Sequence, residues 1–198
     1  MLGDREGRDV LNPHFAHHGF SLIELAIGMV IVGILTAAAV PSFRNWMQSS
    51  QIRNTTESIL NGLQLARVEA VRRNASVQFV FGAGSDWTVG CLNPVDLNGD
   101  GVEDPGDCPA IIQSRFGAEG TPNASVTVTP AGTSAIIFNG LGRAPAGAVD
   151  IDVANPTGGT CIAASGSMRC LRVITSVGGQ VHMCDPAFTL SSTHPQGC

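Results

Sequence analysis

The hydrophobic pattern of the chain begins with a long apolar run that has a single acidic residue near its start. From Leu25 to Val40 every residue is apolar or glycine except Thr36, and residues 20–23 extend the run. A helix that crosses the hydrocarbon core of a bilayer needs ~20 such residues. The pattern therefore predicts one membrane-spanning helix, with Glu24 close to its first turn.

Beyond Pro41 the apolar positions keep a helical spacing. They recur three, four or seven residues apart, which predicts an amphipathic helix over residues 44–74. Leu60 and Val71 are expected to widen the apolar stripe. The stripe itself is formed by Ile52, Ile59, Leu63, Ala66 and Ala70. We expect the arginines of this stretch on other faces of the helix, namely Arg44, Arg53, Arg67, Arg72 and Arg73.

After Asn74 the pattern changes to short segments rich in Val, Ile and Phe, separated by Gly, Pro and Asn. The predicted strands are Ser76–Phe81, Trp87–Leu92, Val126–Thr129, Ala135–Asn139, Val149–Ala154, Leu171–Val177 and Gln180–Cys184. Val177–Gln180 reads as a tight hairpin turn. Together these elements predict an α+β fold, in which a long N-terminal helix packs on an antiparallel β-sheet head domain.

Glu24 requires a partner if it enters a membrane. An ionised side chain in hydrocarbon costs at least ~2.5–3.5 kcal/mol when nothing compensates it. Cleavage between Gly19 and Phe20 would place a new α-amine one helical turn from Glu24, on the same helix face. The sequence around this junction therefore predicts proteolytic processing that creates the partner of Glu24.

The segment Gly19-Phe20-Ser21-Leu22-Ile23-Glu24 resembles the class III signal of the type IV pilin and pseudopilin superfamily. In that family a prepilin peptidase cuts after the glycine and methylates the new N-terminal Phe. The Glu at the fifth mature position then guides assembly. Many members also carry a proline where this chain has Pro41. The resemblance implies that Gly19 and Phe20 are the processing residues, and that Glu24 and Pro41 serve assembly.

A second segment, Leu65-Ala66-Arg67-Val68-Glu69-Ala70-Val71-Arg72-Arg73-Asn74, is similar to the FimT/FimU/GspH branch of minor pilins and minor pseudopilins. The strand at 171–176 and the segment at 183–185 are also similar to that branch. The implied organisation is a leader at 1–19, a membrane and filament-core helix at 20–43, an amphipathic half-helix at 44–74 and a head at 75–198. A single pass through the inner membrane would leave the head in the periplasm.

The resemblance implies no catalytic activity and leaves several functions open. The chain would be a minor subunit that joins, and helps to prime, a type IV pilus among other minor and major pilins. A minor pseudopilin of a type II secretion system is the alternative. DNA uptake is disfavoured because residues beyond Asn74 include four arginines against ten acidic residues. DNA-binding relatives carry a Gly-Arg-x-Arg element where this chain has Gly179-Gln180-Val181-His182.

All six cysteines lie beyond the apolar run, and none forms a Cys-x-x-Cys pair. An even number in an exported domain favours disulfides over zinc or thiol redox chemistry. Sequence order favours the pairs Cys91–Cys108, Cys161–Cys170 and Cys184–Cys198. Six cysteines nevertheless allow about 15 connectivities, so the pairing stays open at this level.

One acidic loop fits the spacing of a calcium-binding loop, with oxygen donors at alternate positions and glycine at the sixth. The candidate ligands are Asp96, Asn98, Asp100, the Val102 carbonyl, Asp104 and Asp107. The alternative is a hairpin loop that uses only Asn-Gly and Asp-Gly turn chemistry. No cofactor is required, and calcium would be a structural ion.

Overall fold

The computed structural model describes residues 21–101, 104 and 106–198. Within them it is an α+β fold with one long helix and eight strands. The elements are α1 (Leu22–Arg73), β1 (Val77–Phe81), β2 (Trp87–Cys91), β3 (Gln113–Arg115), β4 (Ser125–Thr129), β5 (Ala135–Phe138), β6 (Val149–Ala154), β7 (Leu171–Thr175) and β8 (Val181–Cys184). Two short 3₁₀ helices, Pro156–Gly158 and Ile162–Ala164, lie between β6 and β7. The predicted strands are all present: β6 has the predicted ends, and the ends of the others differ by one or two residues.

The strands form two antiparallel four-stranded sheets, rather than the single sheet expected from the pattern. One sheet has the order β3-β2-β1-β5, and the other has the order β4-β6-β7-β8. Consecutive strands β4 and β5 belong to different sheets, so the segment between them passes from one sheet to the other. The sequence missed β3 because Gln113–Arg115 is a three-residue polar edge strand without apolar alternation.

The predicted turn at 177–180 joins β7 to β8. The Gly179 amide donates to the Ser176 carbonyl at 2.8 Å. Gly179 has φ +80°, and a Cβ there would lie 1.8 Å from the Gly142 carbonyl oxygen. A left-handed backbone and this close approach both require glycine at position 179.

The contacts divide the chain into two units, with the boundary between Pro41 and Ser42. In the first unit, the side chains of residues 22–40 are all exposed. By length and composition this part of α1 is apolar enough to cross a membrane. The second unit contains the remainder of α1, both sheets and the hydrophobic core.

The core forms where the second part of α1 packs on the sheets. The five residues of the predicted apolar stripe are at most 1% exposed, and Trp87 is 4% exposed. Two expectations for the helix faces are wrong. Val71 is 52% exposed, so it lies outside the stripe. The Arg73 side chain is only 6% exposed, because it continues the buried face beyond Ala66 and Ala70.

Gly62 allows the closest approach of α1 to the first sheet. A Cβ at this position would lie 2.7 Å from the Phe79 ring and 3.1 Å from the Trp87 ring. Those two rings stack with centroids 5.4 Å apart, and the Trp87 indole nitrogen donates to Ser58 Oγ at 2.8 Å. A small residue at 62 therefore sets the spacing between the helix and the sheet.

Replacing Gly62 with leucine is expected to lower the free energy of unfolding by ~1–3 kcal/mol, since inserted methylenes strain a packed core. Asn61→Leu is the matched control, because Asn61 lies beside it on α1 and is exposed. Thermal unfolding of both variants measures the difference. Equal melting temperatures for the two variants would show that the helix does not approach the rings so closely.

Three disulfides tie the head, and they are the pairs favoured by sequence order. Their Cα–Cα distances are 5.6 Å for Cys91–Cys108, 5.5 Å for Cys161–Cys170 and 5.2 Å for Cys184–Cys198. All six cysteines are therefore paired. The first bond closes the acidic loop, the second closes the segment before β7, and the third fixes the C-terminal segment to the end of β8.

Removing the Cys91–Cys108 bond with serines is expected to cost ~2–4 kcal/mol of stability. The same change at Cys161 and Cys170 should cost less, because those residues are 9 apart in sequence rather than 17 and close a shorter loop. Urea denaturation of the two double variants gives the comparison. A larger loss for the shorter loop would contradict the chain-entropy argument.

Candidate functional site

The start of α1 places Glu24 in its first turn. The Glu24 amide donates to Ser21 Oγ at 3.2 Å, so Ser21 caps the helix. Sequence reasoning did not use this signal, although Ser-x-x-Glu before an apolar run is a typical helix start. A carboxylate in the first turn also interacts favourably with the positive end of the helix dipole. Gly19 and Phe20, the predicted processing residues, lie outside the described residues.

The surface around Glu24 is apolar and uncovered. The large hydrophobic side chains between Leu22 and Val40 are 45–86% exposed. Soluble monomers rarely expose a contiguous apolar surface of this size, and such surfaces mark membrane or protein contacts. Pro41, the other residue predicted to serve assembly, lies within α1. The only acidic residue of the 22–40 segment is Glu24.

A buried ion pair joins the end of α1 to the acidic loop. Arg73 Nε contacts Glu69 Oε2 at 2.8 Å, and these side chains are 6% and 11% exposed. Arg73 Nη1 also donates to the backbone carbonyl of Asp107. Arg72, which is 60% exposed, reaches the same Glu69 oxygen at 2.8 Å. The sequence contained a signal for this cluster, because Glu69 and Arg73 have the i, i+4 spacing of a helical ion pair.

The two arginines determine the charge state of Glu69. Burial alone would raise the pKa of its carboxyl group. The hydrogen bonds and positive charges of Arg72 and Arg73 outweigh burial and hold the pKa below its ordinary value. Glu69 is therefore an ionised, paired group that fastens the helix to the loop.

Five of the six residues predicted as calcium ligands lie in the described part of the acidic loop. The Asp96 carboxylate accepts hydrogen bonds from the Gly99 amide at 2.7 Å and the Gly101 amide at 3.0 Å. The Asp107 carboxylate accepts from the Leu97 amide and the Asp104 amide, each at 2.9 Å. These bonds close the loop in the manner of the hairpin alternative.

The other three described side chains of the predicted ligand set are also hydrogen-bonded. Asn98 donates to Asp100 at 3.1 Å and to Asp104 at 2.7 Å. The hydrogen bond from the Gly101 amide, and to a smaller extent that from the Gly99 amide, lowers the pKa of the Asp96 carboxyl group. Among the described residues, no three His, Cys, Asp or Glu side chains converge on a position for a metal ion. The Val102 carbonyl lies outside the described residues.

Calcium binding by this loop stays a prediction, and a chelator tests it. A structural calcium ion predicts that EDTA lowers the melting temperature and that added calcium restores it. A loop closed only by its own hydrogen bonds predicts the same melting temperature in both buffers. Magnesium in place of calcium is the control for a general effect of ionic strength.

Two arginines, Arg172 in β7 and Arg169 just before this strand, are bound to carboxylates. Arg172 forms a two-pronged contact with Asp152, with both nitrogen–oxygen distances 2.8 Å, and a longer one with Asp150 at 3.3 Å. The hydrogen bond with Asp152 is the largest cause that raises the pKa of Arg172. Arg169 contacts the buried Asp185 at 2.7 Å. A phosphate would have to compete with these carboxylates for both arginines.

Family models match two parts of the chain. The prokaryotic N-terminal methylation motif matches residues 15–40, which include Gly19, Phe20 and Glu24. The family described as type II transport protein GspH matches residues 55–179. The chain belongs to the GspH family. That match includes the buried Glu69–Arg73 pair and the strands β1 to β7, and it agrees with the sequence resemblance.

Two known proteins give further comparisons for this GspH-family chain. It is 27% identical over 112 residues to the type IV major fimbrial protein FimA of Dichelobacter nodosus, covering 55% of the chain and 69% of FimA. The crystal structure of the type IV minor pilin FimU of Pseudomonas aeruginosa matches with a TM-score of 0.49 and 14% identity. That alignment covers 70% of this chain and 91% of FimU.

Proposed function

We propose that this chain is a minor pilin, which joins and helps to prime a type IV pilus after a prepilin peptidase cuts between Gly19 and Phe20. One observation carries the proposal. The N-terminal methylation motif spans this junction and leads directly into an exposed apolar segment of α1, residues 22–40, whose single carboxylate is Glu24. The pilin-like sequence and the GspH match beyond it support a structural subunit rather than an enzyme.

Charge neutralisation provides the assembly step. Cleavage releases the α-amine of Phe20, which the peptidase would then methylate. Glu24 pairs with this amine, its own or that of a neighbouring subunit, in a medium where an isolated charge is costly. The exposed apolar face of α1 then packs among the helices of other pilins. Pro41 lies at the end of the segment that enters this helical core.

The proposed location is the inner membrane, with a single pass and the head in the periplasm. The apolar segment supplies the anchor. The three disulfides are typical of a domain that folds in an oxidising compartment. Assembly would move the subunit from the membrane into the filament. Prepilin peptidase and the other minor and major pilins are therefore its proposed partners.

The second candidate function is a minor pseudopilin of a type II secretion system. The description of the matching family, a type II transport protein, favours it specifically. Deleting the gene separates the two functions. A pilus subunit predicts loss of surface filaments with normal secretion, whereas a pseudopilin predicts that secreted enzymes accumulate in the periplasm while filaments remain.

Incorporation into filaments tests the proposed function directly. Filaments sheared from cells should contain a small amount of the chain, detectable by immunoblot, in its processed form. Complementing the deletion strain with the intact gene should restore filament number, as expected for a subunit that helps to prime assembly. Normal filaments in the deletion strain, with no chain in them, would contradict the proposal.

DNA binding is expected to be absent. The carboxylates that contact Arg169 and Arg172 occupy the groups that would otherwise meet phosphates. A gel-shift assay with the purified, detergent-solubilised chain at low salt should show no retarded DNA. A shift that weakens as salt is raised would establish the DNA-uptake function that the charge distribution disfavours.

A further inference from the structure

Three large apolar side chains are exposed at the start of the second unit. They are Phe43, Trp46 and Met47, which are 56%, 66% and 43% exposed. Their spacing of three and four residues places them on one face of α1. The rings of Phe43 and Trp46 are neighbours, with centroids 5.8 Å apart. The head therefore leaves an aromatic and apolar surface uncovered, which we call the 43–47 patch.

The charge beside this patch is positive and has no counter-charge within the chain. Arg44 is exposed, and among the described residues it has no carboxylate or other hydrogen-bond partner. The sequence contains no Asp or Glu between Glu24 and Glu57. The guanidinium of Arg44 can therefore bind an anionic group that belongs to another molecule.

The two tryptophans of the chain have different surroundings. Trp87 is 4% exposed, and its indole nitrogen donates to Ser58 Oγ in the core. The Trp46 indole is mostly exposed and has no hydrogen bond within the part of the chain that the structure describes. A Trp side chain with an apolar ring and an N–H that needs an acceptor suits a boundary between an apolar and a polar medium.

The place of the patch in the chain indicates which boundary it meets. At ~1.5 Å per residue, residues 22–41 of α1 extend about 30 Å, the thickness of the hydrocarbon core of a bilayer. The patch begins two residues later, at Phe43. Headgroups follow the hydrocarbon at that depth, and Trp is enriched there. Arginine near the end of a membrane helix also directs its charge to the headgroups.

We propose that the 43–47 patch binds the surface of the phospholipid bilayer that the apolar segment enters. The side chains of Phe43, Trp46 and Met47 enter the boundary between headgroups and acyl chains, and Arg44 binds lipid phosphate. This contact fixes the depth of the anchor before the chain joins a filament. The inference rests on the proposed function, because it takes the membrane location from it.

Trp46 itself reports the contact in the full-length chain. The natural chain and Trp46→Phe are reconstituted in vesicles of phosphatidylcholine and phosphatidylglycerol and recovered by flotation. The difference between their emission spectra isolates Trp46 without altering Trp87. This emission should lie at shorter wavelength than that of tryptophan in water. A nitroxide on the acyl chain near the headgroup should quench it more strongly than one near the chain end, and aqueous iodide should quench it only weakly.

Arg44→Glu should reduce quenching by the nitroxide near the headgroup, because a carboxylate is repelled by lipid phosphate. The reduction should be smaller in vesicles of phosphatidylcholine alone, whose surface carries no net charge. Arg143→Glu is the control with the same charge change, since Arg143 is exposed and its neighbour Gly142 accepts a hydrogen bond from Arg67, near the far end of α1. Circular dichroism melts should show both variants folded.

Several results would overturn the inference. Strong quenching by iodide without quenching by lipid nitroxides would place Trp46 in water, and strongest quenching near the chain end would place it in the hydrocarbon. Protection from every quencher would mean that protein covers Trp46, for example a second copy. An equal response of Arg44→Glu and Arg143→Glu would exclude the contact with lipid phosphate.

This experiment separates the inference from the proposed function. If the chain floats with the vesicles and is processed in cells but Trp46 does not meet the headgroups, the proposed function stands and the lipid contact is wrong. If the contact forms but cells never cleave the chain after Gly19, the contact stands and the pilin function is wrong. A chain that does not float with the vesicles would contradict both.

Discussion

Glu24→Ala is expected to abolish incorporation of the chain into filaments while leaving the head folded. Glu24 is the only acidic side chain in the exposed apolar segment of 22–40. Removing this carboxylate leaves an N-terminal amine in hydrocarbon without a counter-charge, whether the amine belongs to the same chain or to a neighbouring subunit. The cost is several kcal/mol. Immunoblots should therefore detect none of the variant in sheared filaments and normal amounts of it in membranes.

Glu57→Ala is the matched control for this prediction. Glu57 is also an acidic residue of α1, but its partner Arg53 is on the surface of the second unit, and such exposed pairs contribute at most ~1 kcal/mol. Its removal should leave filament incorporation unchanged. Glu24→Asp should restore part of the incorporation, because it keeps the charge on a shorter side chain. Normal incorporation of Glu24→Ala would refute the charge-neutralisation mechanism.

Arg73→Met should lower the stability of the second unit much more than Arg72→Met does. Methionine keeps most of the apolar stem but leaves the carboxylate of Glu69 without its buried partner. Because Arg72 still contacts the Glu69 carboxylate, the expected loss is that of charged hydrogen bonds, ~1.5–3 kcal/mol, rather than that of a fully unpaired buried charge. Arg72→Met is the control, because Arg72 contacts the same oxygen from a side chain that is 60% exposed. Chemical denaturation should show a loss of no more than ~1 kcal/mol for the control.

The pair also predicts how stability depends on pH. Because the folded-state pKa of Glu69 lies below its ordinary value of 4.5, its contribution to stability is present above that value. The contribution is lost as the pH falls through the lower, folded-state pKa. Between neutral pH and pH about 3, the free energy of unfolding should therefore fall less in Glu69→Gln than in the natural chain. Unfolding curves recorded across this range measure the difference. An equal loss of stability at low pH in the two proteins would exclude Glu69 as a source of the pH dependence.

The sequence predicted the elements of this fold well because their patterns are strong and local. The stripe from Ile52 to Ala70 has a clear helical period, and β6 was placed at its observed ends. The sequence pattern could not predict that the strands divide into two sheets, since strand pairing depends on contacts between distant segments. The strand Gln113–Arg115 has no apolar pattern, and it forms because β2 offers it an edge.

The site shows the same division between local and long-range information. Glu24 stood out because a carboxylate in an apolar run is costly wherever the run lies. Arg73 was expected on a polar face, as arginines of amphipathic helices usually are. Its burial depends on the Asp107 carbonyl, which is 34 residues away in sequence. Likewise, the carboxylates that contact Arg169 and Arg172 come from positions 16 to 22 residues away.

The N-terminus of the mature protein tests the central claim most directly. The full-length chain should be extracted from membranes of cells that have an active prepilin peptidase, and its N-terminal peptide analysed by mass spectrometry. The account predicts a mature chain that begins at Phe20 with a methylated α-amine, and an unprocessed chain when Gly19 is replaced by a bulky residue. A mature protein that begins at any other residue, or retains its first 19 residues in those cells, would contradict it.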